Sequence, residues 1–236
     1  MKLEIQGLVK SFGQKEVLKD IRYIFEEGKI YSIIGRNGAG KTTLFNCINQ
    51  DEEFQQGKIY LVDEAGSRRP LRFEDVGMVS ASPILPEFLT GQEFISYFLK
   101  LNSSVKDGEK KHVEEYFDFV KIQEKDRHKL IKYYSYGMQN KLQLLCALIR
   151  NPKVLLLDEP LSSFDIVVSH DIKEQLMAMK GEHITLMSTH ILQLATDISD
   201  EIVLLRNGKL SGAEDVQLGS GEFEEYIMKA LEEDLS

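Results

Sequence analysis

The first quarter of the chain carries short apolar runs, alternating or continuous, of the kind that form β-strands. Turn-forming residues such as Gly13 and the segment Glu26-Glu27-Gly28 separate these runs. The run that ends at Ile34 continues directly into a glycine-rich loop, and a helix is predicted to begin at about Lys41. The predicted strands of this part, including a hairpin over its fourth and fifth strands, cover residues 3–5, 17–25, 29–34, 58–62, 71–73 and 76–79.

Between about residues 83 and 130 the pattern changes from strand to helix spacing. Apolar residues recur every three or four positions in segments 94–101 and 113–120, which is typical of amphipathic helices. Because no strand pattern interrupts this region, we predict a helical subdomain, inserted at about 83–150 into the surrounding fold.

Strands and helices alternate in the second half of the chain. The predicted strands are apolar at nearly every position, as expected when helices cover both faces of a parallel sheet. We therefore predict an α/β fold with a mostly parallel sheet, an N-terminal antiparallel β subdomain and the inserted helical subdomain. Helices are predicted over 138–150, over 164–179 and after His190, and strands over 154–157, 184–187, 202–205 and 209–211.

Residues 35–42, GRNGAGKT, fit the phosphate-loop pattern G-x-x-x-x-G-K-[ST] in full. Gly38 and Gly40 allow the backbone to bend so that successive N–H groups point at phosphate oxygens. Lys41 is placed to reach the β- and γ-phosphates, and the hydroxyl of Thr42 is a ligand for Mg²⁺. The loop follows a buried strand and opens a helix, so the sequence predicts nucleotide phosphate binding here.

A second motif, VLLLDEP over residues 154–160, is an apolar strand that ends in two carboxylates. Asp158 lies at the tip of the strand, where it can hold Mg²⁺ through a hydroxyl or a water. Glu159 would then polarise the water that attacks the γ-phosphate. An acidic pair at a strand end is usually a solvated loop start, but a phosphate loop in the same sheet favours the catalytic interpretation.

A third segment, Ser135-Tyr136-Gly137-Met138-Gln139, precedes a predicted helix. Its serine could be a simple helix N-cap, or the hydroxyl and the free N–H groups could bind an anion. The segment alone does not distinguish these two roles.

The composition narrows the class of protein. Of the 236 residues 42% are hydrophobic and 28% charged, as in an ordinary globular protein. The formal net charge of −9 argues against a protein that coats nucleic acid. Cys47 and Cys146 are interpreted as reduced thiols that pack as apolar groups, which indicates the cytosol. The longest apolar stretch, residues 142–149, is too short to span a membrane.

Taken together, these motifs resemble those of the ATP-binding cassette (ABC) ATPases over about residues 1–213, with residues 214–236 left as a short acidic helical extension. The order and spacing of the phosphate loop, the signature-like segment YSYGMQ and the LLLDEP strand all agree with that family. The resemblance implies a P-loop NTPase core, ATP and Mg²⁺ as cofactors, and ATP hydrolysis.

The resemblance also assigns a role to each matching residue. Phe12 matches the aromatic residue that stacks on adenine, although it could be a plain core or edge residue. Asp158 and Thr42 would serve Mg²⁺, and Glu159 would be the general base. His190 would contact the γ-phosphate, with Lys41 as the third catalytic residue. Phosphate binding is assigned to Gly35, Asn37, Gly38, Ala39, Gly40, Lys41, Thr42 and Thr43.

The implied partners are a second ATPase protomer and a separate membrane permease. Ser135 and Gly137 would close over ATP held by the other protomer of a head-to-tail homodimer, with Asp165 at the same interface. Tyr136 stands where the family signature usually has glycine. A bulky residue there, together with Met138, resembles the bacterial ATPases paired with ABC-2-type exporters, so export is expected. The protein would then be cytoplasmic and peripheral at the inner face of the cell membrane.

One departure from the family pattern concerns catalysis. Ala81 stands where the family normally has a glutamine that reaches Mg²⁺, and an alanine side chain can neither ligate nor donate. We expect a water held by Ser80 or Ser82 to substitute, with a modest loss of turnover.

Other functions remain open from the sequence. One is a soluble ABC-type ATPase acting in cluster assembly, and another is a nucleotide-dependent regulator without turnover. The aromatic residues around Phe88 are either helical-subdomain core or part of a groove that receives a permease helix. The segment 221–236 is predicted to be an acidic helix that packs on the domain or on a partner.

Overall fold

A computed structural model describes residues 1–102, 112–160, 173–181, 183–213, 225–227 and 229 of the chain. These residues form two β-sheets and a set of helices. The antiparallel sheet has the strand order β2-β1-β4-β5. Its strands are β1 (Lys2–Phe12), β2 (Lys15–Glu26), β4 (Gln56–Val62) and β5 (Arg68–Pro70).

The second sheet is mixed and mostly parallel, with the order β10-β9-β3-β8-β7-β6. Every pairing in it is parallel except that of β10 with β9. Strands β3, β7 and β8 are buried at every position, which confirms the predicted α/β class. The strands are β3 (Ile30–Ile34), β6 (Val76–Val79), β7 (Val154–Asp158), β8 (Ile184–Thr189), β9 (Glu201–Arg206) and β10 (Lys209–Gly212).

Most of the helices lie in one region, between β6 and β7. This region has its own apolar core, to which Ile95, Phe117 and Leu145 contribute. Within the described residues up to 213, the helices are α1 (Lys41–Asn49), α2 (Gly91–Leu101), α3 (Val113–Phe119), α4 (Glu124–Arg127), α5 (Tyr136–Ile149), α6 (173–178) and α7 (Leu192–Ile198), with 3₁₀ turns at Phe73–Asp75 and Ile131–Tyr133.

The position of β5 corrects the sequence prediction. The second strand of the hairpin was expected over 71–73, but it lies at Arg68–Pro70. The turn closes early because Asp63 and Ser67 pair through their backbones at 3.1 Å and through the Asp63 carboxylate at 2.8 Å. Arg69 then forms an ion pair with Asp75 at 2.6 Å, next to the 3₁₀ turn that replaces the expected strand.

Helix α5 begins two residues before its predicted start. The hydroxyl of Ser135 accepts a hydrogen bond from the backbone N–H of Met138 at 3.2 Å, which is the geometry of a helix N-cap. The signature-like segment therefore forms the first turn of α5 rather than the loop before it.

Both cysteines behave as the sequence predicts. Burial raises the pKa of the Cys47 thiol to about 11 and that of the Cys146 thiol to about 12. The two thiols stay protonated at neutral pH and pack as small apolar groups.

The described C-terminal residues touch the mixed sheet. Residues 225–227 are helical, and Ile227 is fully buried in a cluster with Ile34, Ala195 and Leu204. This part of the extension packs on the domain, one of the two predicted outcomes, whereas Phe223, Ala230 and Leu231 lie outside the described residues. In the described part of the chain, the helices are too short or too polar to cross a bilayer.

Candidate functional site

The loop between β3 and α1 is shaped by its glycines. A side chain at Gly35 would place its Cβ 2.7 Å from the carbonyl oxygen of Leu205, so no larger residue fits. Gly38 and Gly40 have φ of 82° and 107°, in the left-handed region that glycine adopts without strain. A Cβ at Gly40 would also lie 2.9 Å from Val17. The loop therefore takes a path that its glycines alone permit.

Lys41 is held inside this loop. Its side chain is buried, and its ammonium donates to the carbonyl of Gly35 at 2.8 Å and to that of Arg36 at 3.4 Å. The carboxylate of Glu159 lies 3.7 Å from the same ammonium. A fixed cation thus lies at the start of α1, whose N-cap residue, Gly40, provides no side-chain cap. Free N–H groups and a cation together favour an anion.

Asp158 forms the centre of a hydrogen-bond network at the end of β7. Its Oδ2 accepts from the hydroxyl of Thr42 at 2.8 Å, and its Oδ1 accepts from the hydroxyl of Ser188 at 2.6 Å. The parallel register pairs Asp158 with Ser188, which places this serine beside the carboxylate. Asp158 and Ser188 are both buried.

Glu159 follows in a conformation that aims its carboxylate back at the loop. Its φ of 49° is unusual for a residue with a side chain, and its N–H donates to the Ser188 hydroxyl at 2.9 Å. The Nδ1–H of His190 donates to the Glu159 carboxylate at 2.8 Å. The structure thus brings Lys41 and His190 to Glu159, so that the three residues with predicted catalytic roles lie together.

A cavity of about 430 Å³ opens in front of these groups. Phe12, at the end of β1, lies at one side of it with 49% of its surface exposed. The ammonium of Lys10 lies 4.5 Å from the centroid of this ring. The lining residues are Phe12, Lys15, Val17, Asn37, Gly38, Gly40, Lys41, Thr42, Thr43 and Glu159. An exposed aromatic face at one end and a phosphate loop at the other suit a nucleotide.

The donor set also suits Mg²⁺. The Thr42 hydroxyl oxygen and the nearer Asp158 oxygen are 2.8 Å apart, close to the roughly 3 Å between adjacent oxygens in an octahedral Mg²⁺ shell. Both ligands are oxygen atoms, the kind that this ion prefers.

Some predicted site residues lie elsewhere. Ser135 and Gly137 lie at the start of α5, and in the described part of the chain they do not line the cavity. Ala39 packs against the core behind the loop, with its N–H donating to Arg36 at 3.0 Å. Asp165 falls outside the described residues.

The structure places in the site some residues that were not predicted from the sequence. Ser188 contacts both Asp158 and Glu159, and Lys15 and Val17 line the cavity. Ser188 could have been recognised from the sequence as a polar residue inside the apolar strand that precedes His190. Lys15 and Val17 belong to no sequence motif. They reach the cavity only because β2 returns alongside β1.

Comparison with known proteins gives a consistent picture. Residues 18–162 match the ABC transporter family. The chain is 31% identical over 215 residues to the uncharacterized ABC transporter ATP-binding protein YxlF of Bacillus subtilis (strain 168), covering 91% of this chain and 71% of that protein. It is 29% identical over 209 residues to the lantibiotic transport ATP-binding protein SrtF of Streptococcus pyogenes, covering 88% of each. It is 32% identical over 216 residues to the sulfate/thiosulfate import ATP-binding protein CysA of Halalkalibacterium halodurans, covering 89% of this chain and 60% of that protein.

Solved structures share the fold. The structure of an ATP-binding subunit of an ABC transporter superposes with a TM-score of 0.80 at 24% identity, over 98% of this chain and all of that one. The cassette MJ0796, solved as a dimer in a post-hydrolysis state with ADP and Pi, gives a TM-score of 0.73 at 21% identity, over 91% of this chain and all of that one.

Proposed function

The chain belongs to the ABC transporter family, and we propose that it is the ATPase subunit that drives a separate membrane permease. It binds ATP with Mg²⁺ and hydrolyses ATP. The observation that carries the proposal is that Lys41, Thr42 and Glu159 line one cavity, with Asp158 hydrogen-bonded to Thr42 and His190 to Glu159.

Each site residue has a proposed task. Loop residues 35–43 bind the phosphates, with Lys41 supplying the positive charge, and Phe12 stacks on the base. Thr42 and Asp158 hold Mg²⁺, which when bound neutralises charge on the phosphate oxygens. Support for these tasks comes from the cavity lining and from the contact of Thr42 with Asp158.

Glu159 is proposed as the general base that takes a proton from the attacking water. Its backbone is held by Ser188, and its carboxylate by His190 and Lys41. When phosphate takes the charge of Lys41, the Glu159 carboxylate loses one cation and becomes freer to accept a proton. His190 is half exposed, so it can hold the base from one side while facing the γ-phosphate.

The active form is proposed to be a homodimer that encloses two ATP molecules. Ser135 is exposed at the start of α5, away from its own chain's cavity, where it can face a nucleotide held by another protomer. Gly137, in the first turn of the same helix, is buried in the single chain. Asp165 is proposed to join that interface.

The first experiment tests both the base and the dimer. We expect Glu159→Gln to lower ATP hydrolysis at least about 100-fold, because the amide cannot take the proton, and to trap an ATP-dependent dimer. Native mass spectrometry with ATP and Mg²⁺ measures the dimer, and phosphate release measures turnover. Glu64→Gln, at an exposed turn, serves as the matched control. Retained hydrolysis in Glu159→Gln would show that another group is the base, and a persistent monomer would show that another partner completes the site.

The permease is proposed to dock beside the exit of β6. There Ile84 and Phe88 are 92% and 78% exposed, and exposed apolar groups of this size commonly mark interfaces. Export is proposed from the likeness of Tyr136 and Met138 to ABC-2-type ATPases. Relatives of both kinds match the chain, since SrtF is named for lantibiotic transport and CysA for sulfate import. The proposed location is the cytoplasmic face of the cell membrane.

Docking is tested with Phe88→Asp. We expect this change to reduce binding to inside-out vesicles from the source cells at least fivefold, because a carboxylate replaces the apolar contact, while leaving ATPase activity unchanged. Vesicle flotation measures the binding. Ile24→Asp, at a half-exposed position of β2, is the control. If the unmodified protein failed to bind vesicles, the soluble ABC-type ATPase would be the better hypothesis.

A further inference from the structure

Two positions that depart from the family pattern contact each other in this structure. The hydroxyl of Tyr136, the first residue of α5, donates a hydrogen bond to the backbone carbonyl of Ala81. Tyr136 stands where the family signature usually has glycine, and Ala81 where it usually has glutamine. A glycine could not make this contact, so the bond exists only because position 136 differs.

A second contact lies on the same side of α5. With its amide oriented to satisfy both groups, Gln143 donates to the Ser80 carbonyl at 3.2 Å and accepts from the Ser80 N–H at 3.0 Å. Tyr136 and Gln143 are about two helical turns apart and therefore face the same way. Together they hold the backbone of two consecutive residues, Ser80 and Ala81, at three points.

The helix and the strand behind this contact are closely packed. A Cβ at Gly77 in β6 would lie 2.8 Å from Pro152 and 3.5 Å from Ala147 of α5. At the other end of the helix, the Asn140 side chain donates to the carbonyl of Tyr136 at 3.0 Å. Tyr136 is thus fixed to α5, and α5 is fixed against β6.

The held segment connects two parts of the proposed mechanism. Strand β6 pairs in parallel with β7, with Val79 opposite Leu157, so Ser80 leaves the sheet beside Asp158. At the other end of the contact, α5 begins with the signature residues Ser135 and Gly137. A displacement at the metal carboxylate can therefore reach the signature segment through the backbone of residues 80–81.

We propose that Tyr136, assisted by Gln143, is a positioning residue that makes segment 80–81 and the signature end of α5 move as one body. This link supplies the coupling that Ala81, which lacks the glutamine side chain, does not provide, and it leaves the contact with Mg²⁺ to the water predicted from the sequence. The proposal rests on the proposed function, since it describes how this chain couples its own site to its partner's nucleotide.

The first test is Tyr136→Phe, which keeps the ring and removes the hydroxyl. One hydrogen bond of ordinary strength corresponds to a change of about 3- to 10-fold. We expect turnover to fall by that factor with the KM for ATP within about twofold, because Tyr136 does not line the cavity. Hydrogen exchange of the peptide spanning residues 78–84 should speed up by a similar factor. Tyr133→Phe, at an exposed tyrosine of the same region, should change neither quantity.

A second variant keeps the proposal falsifiable. Gln143→Met removes the amide and preserves length, and we expect faster exchange at Ser80 and a loss of turnover. Combined with Tyr136→Phe, the two losses should be less than multiplicative, because both act on one segment. Unchanged exchange and turnover in both variants would overturn the proposal. Faster exchange with normal turnover would also overturn it, since the contact would then be merely structural.

The last comparison restores the two residues that the family usually has, a glutamine in place of Ala81 and a glycine in place of Tyr136. We expect Ala81→Gln together with Tyr136→Gly to give more turnover than either change alone. A full gain from Ala81→Gln alone would overturn the idea that Tyr136 compensates. If the unmodified protein hydrolysed no ATP, the proposed function would fail, whereas the exchange measurements would still report on the contact itself.

Discussion

Ser188 illustrates how one buried hydroxyl can organise two reactive groups. It donates to Asp158 and accepts from the backbone N–H of Glu159, and its fully buried position excludes water from both bonds. One side chain thus orients the carboxylate of Asp158, the proposed metal ligand, and holds the backbone N–H of Glu159, where the chain adopts its unusual φ.

We expect Ser188→Ala to lower ATP turnover about 30-fold and to raise the Mg²⁺ concentration needed for half-maximal activity. The reason is that Asp158 and the Glu159 N–H both lose a partner, each loss being worth about 1 kcal/mol. A Mg²⁺ titration of phosphate release measures the effect. Ser32→Ala is the control, because Ser32 is equally buried but pairs with Ser199 away from the site. Equal Mg²⁺ dependence in the two variants would show that Ser188 has only a packing role.

Among the elements, α7 links His190, the proposed catalytic histidine, to the C-terminal extension. The helix starts two residues after His190, and its Ala195 packs in the cluster that buries Ile227. Ile34, the last residue of β3 before the phosphate loop, belongs to the same cluster. The described part of the extension therefore packs against the strand that precedes the phosphate loop and the helix that follows His190.

We expect Ile227→Ala to lower the free energy of unfolding by about 2–4 kcal/mol, because it opens a cavity at a fully buried position. Urea denaturation measures this change. Tyr226→Ala, one residue earlier and 38% exposed, should cost less than about half as much. Similar losses in both variants would mean that the extension contributes through general helix formation rather than through this cluster.

Elements differ in how far the sequence predicts them. Strands β3 and β7 are continuous apolar runs, so their positions follow directly from the pattern. Strand β5 was predicted three residues too late, because its place depends on a turn at Asp63 and an ion pair between Arg69 and Asp75. The pattern of apolar residues gives no information about such polar contacts.

The residues of the candidate site also differ in how far the sequence predicts them. The phosphate loop and the two carboxylates were predicted because each motif is contiguous in sequence, and the fold only has to bring them together. The contact between Tyr136 and Ala81 joins residues that are far apart in the chain. Each departure could be noticed by itself, but their contact depends on how α5 packs beside β6.

For the molecule as a whole, both sheets contribute residues to the cavity that we propose binds the nucleotide. Phe12 is carried by the antiparallel sheet and the phosphate loop by the mixed sheet, and the cavity lies where they meet. Both sheets contribute buried apolar side chains to one shared cluster, and a second cluster lies on the mixed sheet.

Because the two sheets carry different parts of the cavity, the residues proposed to contact the base and the residues proposed to react with the phosphate can change independently in evolution. Phe12 and Lys15, which flank the turn between β1 and β2, line the cavity that we propose binds the nucleotide, whereas Asp158 and His190 lie at the ends of strands of the mixed sheet. Changes in that turn can therefore alter which base is preferred, or how long the product stays bound, without altering the reacting groups. A cell could tune this ATPase to its supply of nucleotide by varying one short hairpin.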